Sequence, residues 1–281
     1  MTLRAILLDI DGTLLDSNDA HARAWQEVLA RHGYDVPYET LRPLIGKGGD
    51  KLLQEVAGID DRSEIGNLLT EERQSLFTEK YLPSLAPTHG ARDLLQSLKS
   101  RGFELVVATS AGNDDLLTLL RQAGVDDLVK SAATSNDAAR SKPDPDIVQA
   151  ALDKAGLQPH EAIMLGDTPH DMRAAQAAGV RAVILRCGGW WRDDAFAGAA
   201  AIYDDPWDLL VQLADSPFLQ DMVPSRGDTA DRYTQVRMEL TRLHSQPVRD
   251  MPAIDAALAE LDEIQAALKA QHRGVDDHQR Y

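Results

Sequence analysis

Cysteine, aromatic side chains and positive charge are all scarce in this sequence, and each deficit limits what the protein can be. Cys187 is the only cysteine among 281 residues, so no intramolecular disulfide forms, which fits a reducing compartment. Aromatic residues make up 5% of the chain, so its core consists mainly of Leu, Val, Ile and Ala. A formal net charge of −16 argues against nucleic acid as a partner, because phosphate backbones require clustered Lys and Arg.

Long apolar segments are absent as well. No apolar run approaches the roughly 20 residues that span a bilayer, and the acidic charge disfavours adhesion to anionic membranes. The apolar stretch at residues 3–8 is too short for a signal peptide and is followed at once by Asp9 and Asp11. We therefore expect a cytoplasmic protein, monomeric or homodimeric, that binds neither nucleic acid nor membranes. An acidic surface still permits a phosphorylated substrate if the site carries local cations.

Four short apolar runs are typical of buried strands, and helical patterns that stop at a glycine separate the later ones. This alternation predicts an α/β protein with a Rossmann-like parallel sheet and helices on both faces. The predicted strands are residues 3–8, 104–108, 162–165 and 182–185, and the predicted helices between them include residues 91–100, 116–123, 146–155 and 171–178.

Residues 16–87 interrupt this rhythm with helical patterns and no convincing strand. We interpret them as a helical insert after the first strand, between the two parts of the α/β core at residues 1–15 and 88–215. Its predicted helices are residues 20–31, 50–56 and 64–81.

Residues 216–281 form a C-terminal extension that ends in an amphipathic helix. Its apolar residues recur at helical spacing, and three interpretations stay open: a helix packed on its own domain, a dimer seam or a frayed tail. The stripe consists of Ile254, Leu258, Leu261, Ile264 and Leu268.

Polar residues follow three of the predicted strands, where the functional groups of open α/β sheets gather. The first strand ends in Asp9-Ile10-Asp11-Gly12-Thr13, the second in Thr109-Ser110, and the third in Gly166-Asp167, with Asp171 four residues on. A loop before the third strand contributes Lys142 in Ser141-Lys142-Pro143.

Phosphoryl transfer is the chemistry that needs this set. Asp9 would attack phosphorus and form an aspartyl-phosphate, while Asp11 would protonate the leaving oxygen and then activate water. Because crowded carboxylates repel a phosphate, the site requires a hard cation such as Mg²⁺, with Asp9 and Asp167 as natural ligands. Lys142 would offset the remaining charge, and Thr109 with nearby backbone N–H groups would hold phosphate oxygens.

These ordered motifs resemble those of the haloacid dehalogenase-like superfamily, over about residues 3–190, in its phosphoglycolate phosphatase-like and β-phosphoglucomutase-like branch. The resemblance implies that Asp9 is the nucleophile, Asp11 the acid/base, and that the helical insert is the family's cap. It further implies Mg²⁺ bound by Asp9, Asp167 and the backbone carbonyl of Asp11, with Asp171 in a supporting role. An acid at position 11 points to phosphate esters, because family dehalogenases and phosphonatases lack one there.

Substrate contacts are expected from Thr109, Ser110 and the insert. Gly46 and Lys47 lie in a glycine-rich turn that would face the site, with an ordinary interhelical loop as the alternative. His21 matches in spacing a histidine of the β-phosphoglucomutases, and many phosphatases of the branch share it. Asp171 has helix capping as its alternative role. His170 is expected to be exposed, and Trp190 and Trp191 are expected to serve packing or partner contacts.

The resulting hypothesis is a Mg²⁺-dependent phosphatase that acts on a small phosphorylated metabolite. A sugar-phosphate mutase of the same branch is the first alternative. Two positions argue against it: Gly166 stands where those mutases typically have Glu, and Gly49 stands where their pattern has an arginine that binds the distal phosphate. A non-catalytic regulatory or scaffolding protein on the same fold is the second alternative.

Overall fold

A computed structural model describes residues 3–220 and, near the C-terminus, residues 232–233, 235–238, 251–254, 256–261 and 263–264. The chain divides into two compact units, Met1–Asp221 and Met222–Tyr281. The first unit carries every motif noted above. No helix among the described residues is long and apolar enough to cross a membrane.

Six parallel strands form the sheet of the first unit, in the order β3-β2-β1-β4-β5-β6. All of β1 is buried, because it lies between β2 and β4. The strands are β1 Ala5–Leu8, β2 Glu104–Ala108, β3 Ser131–Ala133, β4 Ala162–Gly166, β5 Arg181–Leu185 and β6 Ala201–Tyr203.

Ten α-helices accompany these strands within residues 3–220. Helices α1 to α4 follow β1, and the remaining helices alternate with or follow the later strands. They are α1 Asn18–Arg31, α2 Tyr38–Leu41, α3 Gly49–Ala57, α4 Glu64–Leu76, α5 Ala91–Ser100, α6 Asn113–Gln122, α7 Asp146–Ala155, α8 Pro169–Ala177, α9 Pro206–Val211 and α10 Pro217–Gln220.

The predicted fold class is confirmed: a Rossmann-like parallel sheet with helices inserted after its first strand. The sequence pattern did not predict two strands, β3 and β6, which lie at the edges of the sheet. Each has only three residues and is partly exposed, so neither forms the apolar run by which a buried strand is recognised. The domain boundaries stay predictions.

The register of the three central strands positions the site. Leu8 of β1 pairs with Val107 of β2 on one side and with Leu165 of β4 on the other. Because the strands are parallel and in step, the residues that follow them emerge at one edge of the sheet.

The helical insert, residues 16–87, contains helices and turns and no strand. It has an apolar cluster of its own around Trp25, Leu29 and Leu53, and α4 continues directly into a π-helical turn, Phe77–Tyr81. The cluster explains how the insert holds its shape apart from the sheet.

Both ends of the insert leave the core at one place. The Asp16 N–H donates to Ala86 O at 3.0 Å, and the Thr88 N–H donates to Leu14 O at 3.0 Å. The outgoing and returning chains are therefore hydrogen-bonded to each other where they join the sheet.

In the second unit, the described part of the predicted terminal helix is helical at residues 251–254, 256–261 and 263–264. Ile254 is buried against Val236, with Leu261 and Ile264 packed on them. Leu258 is exposed. Leu268 lies outside the described residues.

Replacement of Leu7 by alanine should destabilise the protein strongly, because Leu7 is fully buried in the central strand. We expect a loss of about 3 kcal/mol in the free energy of unfolding, measured by urea denaturation. The matched control is Val211→Ala, which removes an exposed side chain and should change stability by less than about 0.5 kcal/mol. Equal losses in the two variants would contradict the assignment of β1 as the centre of the core.

Candidate active site

Asp9 lies directly beyond β1, where its N–H donates to Leu165 O of the neighbouring strand at 3.0 Å. This bond extends the sheet by one residue and fixes the direction of the side chain. The carboxylate is buried, and its Oδ1 accepts a hydrogen bond from Lys142 Nζ at 2.6 Å.

Lys142 is fully buried and donates three hydrogen bonds. Its Nζ binds Asp9 Oδ1 at 2.6 Å, Asp171 Oδ1 at 2.7 Å and Ala108 O, at the end of β2, at 2.8 Å. An ammonium has three protons, so its donor capacity is used in full. Lys142 thus joins the ends of β1 and β2 to α8.

Asp171 serves two neighbours at once. Its Oδ2 accepts from the Thr168 N–H at 3.0 Å while the Asp171 N–H donates to Thr168 Oγ1 at 3.2 Å, and these two bonds form the capping box of α8. Its Oδ1 accepts from Lys142. Asp171 therefore caps α8, as the alternative prediction had it, and also contacts the motif residue Lys142.

Asp167, just after β4, is buried among uncharged donors. Thr13 Oγ1 donates to its Oδ1 at 3.0 Å, and Asn18 Nδ2 donates to its Oδ2 at 2.7 Å. A Cβ at Gly12 or Gly188 would lie 2.7 Å from Asp167 Cγ, so any larger residue would displace this carboxylate. Gly12 also has a φ of +78°, in the region that favours glycine.

Three buried carboxylates, those of Asp9, Asp167 and Asp171, each present an oxygen within 4.8 Å of the others. Burial raises the pKa of Asp9 to about 8, with Asp171 and Asp11 acting in the same direction and Lys142 against it. Burial, with Asp171 and Asp9, also raises the pKa of Asp167 well above its ordinary value. A cluster of hard oxygen donors with more negative charge than Lys142 offsets fits Mg²⁺.

Asp11 faces the insert. Its Oδ1 accepts from Ser17 Oγ at 2.5 Å and lies 2.8 Å from His21 Nε2. Burial acts to raise the pKa of Asp11, but His21 and Ser17 outweigh it and lower the pKa below its ordinary value. The His21 ring stacks on Phe77, with ring centroids 3.9 Å apart. Both ends of the insert therefore contribute to the surroundings of Asp11.

Thr109 and Ser110 extend beyond β2. The buried Thr109 accepts from the Ala111 N–H at 3.1 Å through Oγ1, which leaves its O–H for another acceptor. Ser110 Oγ donates to Gly46 O of the insert at 3.3 Å.

A cavity of about 1000 Å³ lies between the insert and the carboxyl edge of the sheet. Lys47 lines it but pairs with Glu55 at 2.6 Å. Thr109, Lys142, Asp167 and Asp171 are not among the residues that line it. Lys142 bonds to Asp9, which does line it, and Asp167 and Asp171 each have an oxygen within 4.8 Å of an Asp9 oxygen. The predicted site residues on its wall are Asp9, Asp11, His21, Gly46, Lys47 and Ser110.

Comparison with known proteins agrees with this geometry. The family model of the haloacid dehalogenase-like hydrolases matches residues 6–185. The chain belongs to this family. Phosphoglycolate phosphatase 1 of Pseudomonas aeruginosa is 32% identical over 241 residues, which cover 83% of this chain and 89% of that protein.

Two further similarities are informative about this haloacid dehalogenase-like hydrolase. Pyrophosphatase PpaX of Bacillus pumilus is 31% identical over 185 residues, or 64% of this chain and 82% of that protein. The solved structure of a hydrolase from Pseudomonas syringae has a TM-score of 0.70 at 30% identity and covers 75% of this chain and 98% of that one. The predictions of the family and of a phosphatase-type hydrolase are confirmed.

Sequence reasoning about this hydrolase missed several neighbours of the motif residues. Ser17 and Asn18, which bind Asp11 and Asp167, lie at the start of α1, and only their closeness to the first motif signalled them. No feature of the sequence marked Phe77 as a neighbour of the site. The expectation of an exposed His170 was wrong: it is 4% exposed, and its Nε2 lies 2.9 Å from Pro43 O of the insert. Trp191 packs against the core cluster of the sheet.

Replacement of Lys142 by methionine should cost the hydrolase about 3 kcal/mol or more of folding stability at neutral pH, because Asp9 and Asp171 lose their shared buried cation. Urea denaturation measures this loss. The control, Lys154→Met, removes an ammonium that pairs with Asp137 at 2.6 Å in an exposed position, and should cost less than about 1 kcal/mol. If both variants lose equally little folding stability, the ion pairs of Lys142 with Asp9 and Asp171 do not stabilise the fold.

Proposed function

We propose that the enzyme hydrolyses a small phosphomonoester in two steps, with Asp9 as nucleophile, Asp11 as general acid and base, and Mg²⁺ as cofactor. The observation that carries this proposal is the buried group of Asp9, Lys142, Asp167 and Asp171 beneath a cavity large enough for a small metabolite. Three carboxylates buried close together, with one ammonium that pairs with two of them, are costly for folding and are explained by chemistry that uses them.

In the first step, an Asp9 oxygen attacks phosphorus as the bond from phosphorus to the ester oxygen breaks. Lys142 holds Oδ1, so Oδ2 is the attacking atom. The leaving alcohol oxygen takes a proton from Asp11. In the second step, water gives a proton to Asp11 and attacks the phosphoryl group, which releases phosphate and restores the Asp9 carboxylate.

Asp11 must be protonated when the first step begins. Its low pKa applies to the free enzyme, in which His21 and Ser17 stabilise the carboxylate. A bound phosphate brings negative charge close to Asp11, and exclusion of water favours the neutral acid, so both effects raise its pKa for the first step. His21 and Ser17 then stabilise the carboxylate that remains.

Asp9, Asp167 and the Asp11 backbone carbonyl would hold the Mg²⁺ ion, which would neutralise the carboxylates and orient phosphate oxygens. Asp171 supports this arrangement because its Oδ1 fixes Lys142, while its Oδ2 caps α8. Thr109 would donate its free O–H to a phosphate oxygen, with Ser110 beside it.

The helical insert is proposed as a cap that excludes water and contacts the substrate through His21, Gly46 and Lys47. Its contacts with the core support this role. In addition to the bond between Ser110 and Gly46, Lys51 Nζ donates to Ser141 O at 2.8 Å and also pairs with Asp144. The insert is thereby fastened to the core beside the cavity.

Hydrolysis is favoured over mutase chemistry by the packing at Gly166. A Cβ at this position would lie 2.6 Å from Asp171 Cβ, so a glutamate here would displace the residue that holds Lys142. The similarity to proteins named phosphoglycolate phosphatase and pyrophosphatase supports a small phosphorylated substrate.

Replacement of Asp9 by asparagine should lower turnover of an aryl phosphate by at least about a thousandfold, because an amide is a poor nucleophile. Acid quenching of the unsubstituted enzyme during turnover, followed by peptide mass spectrometry, should find phosphate on the peptide that contains Asp9. Asp93→Asn, an exposed change on α5, is the control and should retain full turnover. Full turnover by the Asp9 variant would exclude the mechanism.

Removal of divalent cations by chelation should abolish turnover, and Mg²⁺ should restore it. Mg²⁺ should also raise the melting temperature of the chelated enzyme in the absence of substrate, because binding to the folded state stabilises it. Asp167→Asn should weaken this thermal shift, whereas Asp93→Asn should leave it unchanged. A chelated enzyme that keeps its activity would argue against the metal.

A further inference from the structure

Arg73 is a cation of the cavity wall that has no ion pair among the described residues. It lies on α4 and lines the cavity together with Asp9 and Asp11. Within the part of the chain that the structure describes, its Nε is buried without a hydrogen-bond acceptor, and its guanidinium forms no ion pair within 4.0 Å. A guanidinium stays ionised in proteins, so the charge persists in this position.

Two carboxylates interact electrostatically with Arg73, and both accept hydrogen bonds from other residues. Asp115 accepts a hydrogen bond from Gln74, and Asp11 is held by Ser17 and His21. Burial lowers the pKa of Arg73, although Asp115 and Asp11 act in the opposite direction. Arg73 is partly exposed, but its buried Nε–H lacks an acceptor, which is costly. An anionic group of the substrate that accepts from this N–H would remove the cost.

The surroundings fix where Arg73 sits. Its guanidinium carbon lies 5.1 Å from the centroid of the Trp25 ring, which orients the group. Phe77 follows four residues later, so it lies about one helical turn, roughly 6 Å, further along the same face. Phe77 stacks on His21, which contacts Asp11. Arg73 is therefore about one helical turn from Phe77, whose ring stacks on His21, the neighbour of Asp11.

We propose that Arg73 binds a second anionic group of the substrate, a carboxylate or a phosphate, on the side of the substrate that faces the helical insert. The inference rests on the proposed function and narrows its substrate class to small phosphomonoesters that carry a second negative charge. Guanidinium groups suit both oxyanions, because their donors lie in one plane and match the spacing of the acceptor oxygens. Lys47, another cation of the wall, is already paired with Glu55.

The test compares three substrates that differ in their second group. They are 2-phosphoglycolate, the bisphosphate of ethane-1,2-diol, and 2-hydroxyethyl phosphate, in which a neutral hydroxymethyl group replaces the carboxylate. Arg73→Gln should lower kcat/KM for at least one charged substrate about tenfold to a hundredfold more than for the neutral one. The charged substrate that suffers the larger loss identifies the second group as carboxylate or phosphate.

Two further variants separate charge from packing. Arg31→Gln removes an exposed guanidinium of the insert that pairs with Glu27 at 2.6 Å, and should keep the substrate ratios of the unsubstituted enzyme. Arg73→Lys retains the charge and should restore part of the preference for charged substrates. If Arg73→Gln lowers kcat/KM equally for charged and neutral substrates, Arg73 acts only through packing on Trp25 and the inference is overturned.

A binding measurement keeps this inference separate from the catalytic proposal. Calorimetric titration of Asp9→Asn and of the double variant Asp9→Asn, Arg73→Gln, with the two charged substrates in the presence of Mg²⁺, requires no turnover. At least tenfold weaker binding of one of them by the double variant supports the role of Arg73, whatever the nucleophile. Equal affinities of both variants for both substrates overturn it, whereas rapid turnover by Asp9→Asn refutes the mechanism alone.

Discussion

The Lys142 ammonium, held between Asp9 and Asp171, is the interaction on which the rest of the site depends. It is fully buried and bonded to three oxygens, from the ends of β1 and β2 and from α8. Burial by itself favours protonated, neutral carboxyls, as the raised pKa of Asp9 and Asp167 shows. A cation at this point keeps negative charge where a nucleophile requires it, and the proposed metal ion would supply the rest.

The sheet makes this possible because it brings distant segments to one edge. Asp9, Ala108 and Asp167 follow or end three adjacent strands that are parallel and in register. Asp171 arrives on α8, whose capping box fixes the first turn of the helix. The same residues that terminate regular structure thereby place the charged groups, so fold and site are specified together.

The sequence alone predicts much of this arrangement, because short motifs at strand ends carry both the turn chemistry and the reactive groups. Residues 91–100 and 146–155 were predicted as helices with the bounds that the structure has. The edge strands β3 and β6 could not be predicted, since three partly exposed residues leave no pattern.

The wall of the cavity was harder to foresee than its floor. Arg73 of α4 and Phe77, the first residue of the π-helical turn, are four residues apart, and nothing in this spacing shows that they face the cavity and His21. His170 follows a proline at the start of α8, a position that is often exposed, but the insert covers it through Pro43. Contacts between separately patterned segments depend on tertiary packing, which local sequence does not encode.

The junction of the insert has a consequence for how such proteins diversify. Residues 16 and 86 are hydrogen-bonded to each other, as are residues 14 and 88, so the insert begins and ends at neighbouring points of the chain. A segment attached in this way can be exchanged, enlarged or shortened as a cassette while the strands on either side keep their register. Recognition of the substrate is then free to change by recombination of one module, while the residues beneath the cavity are inherited intact.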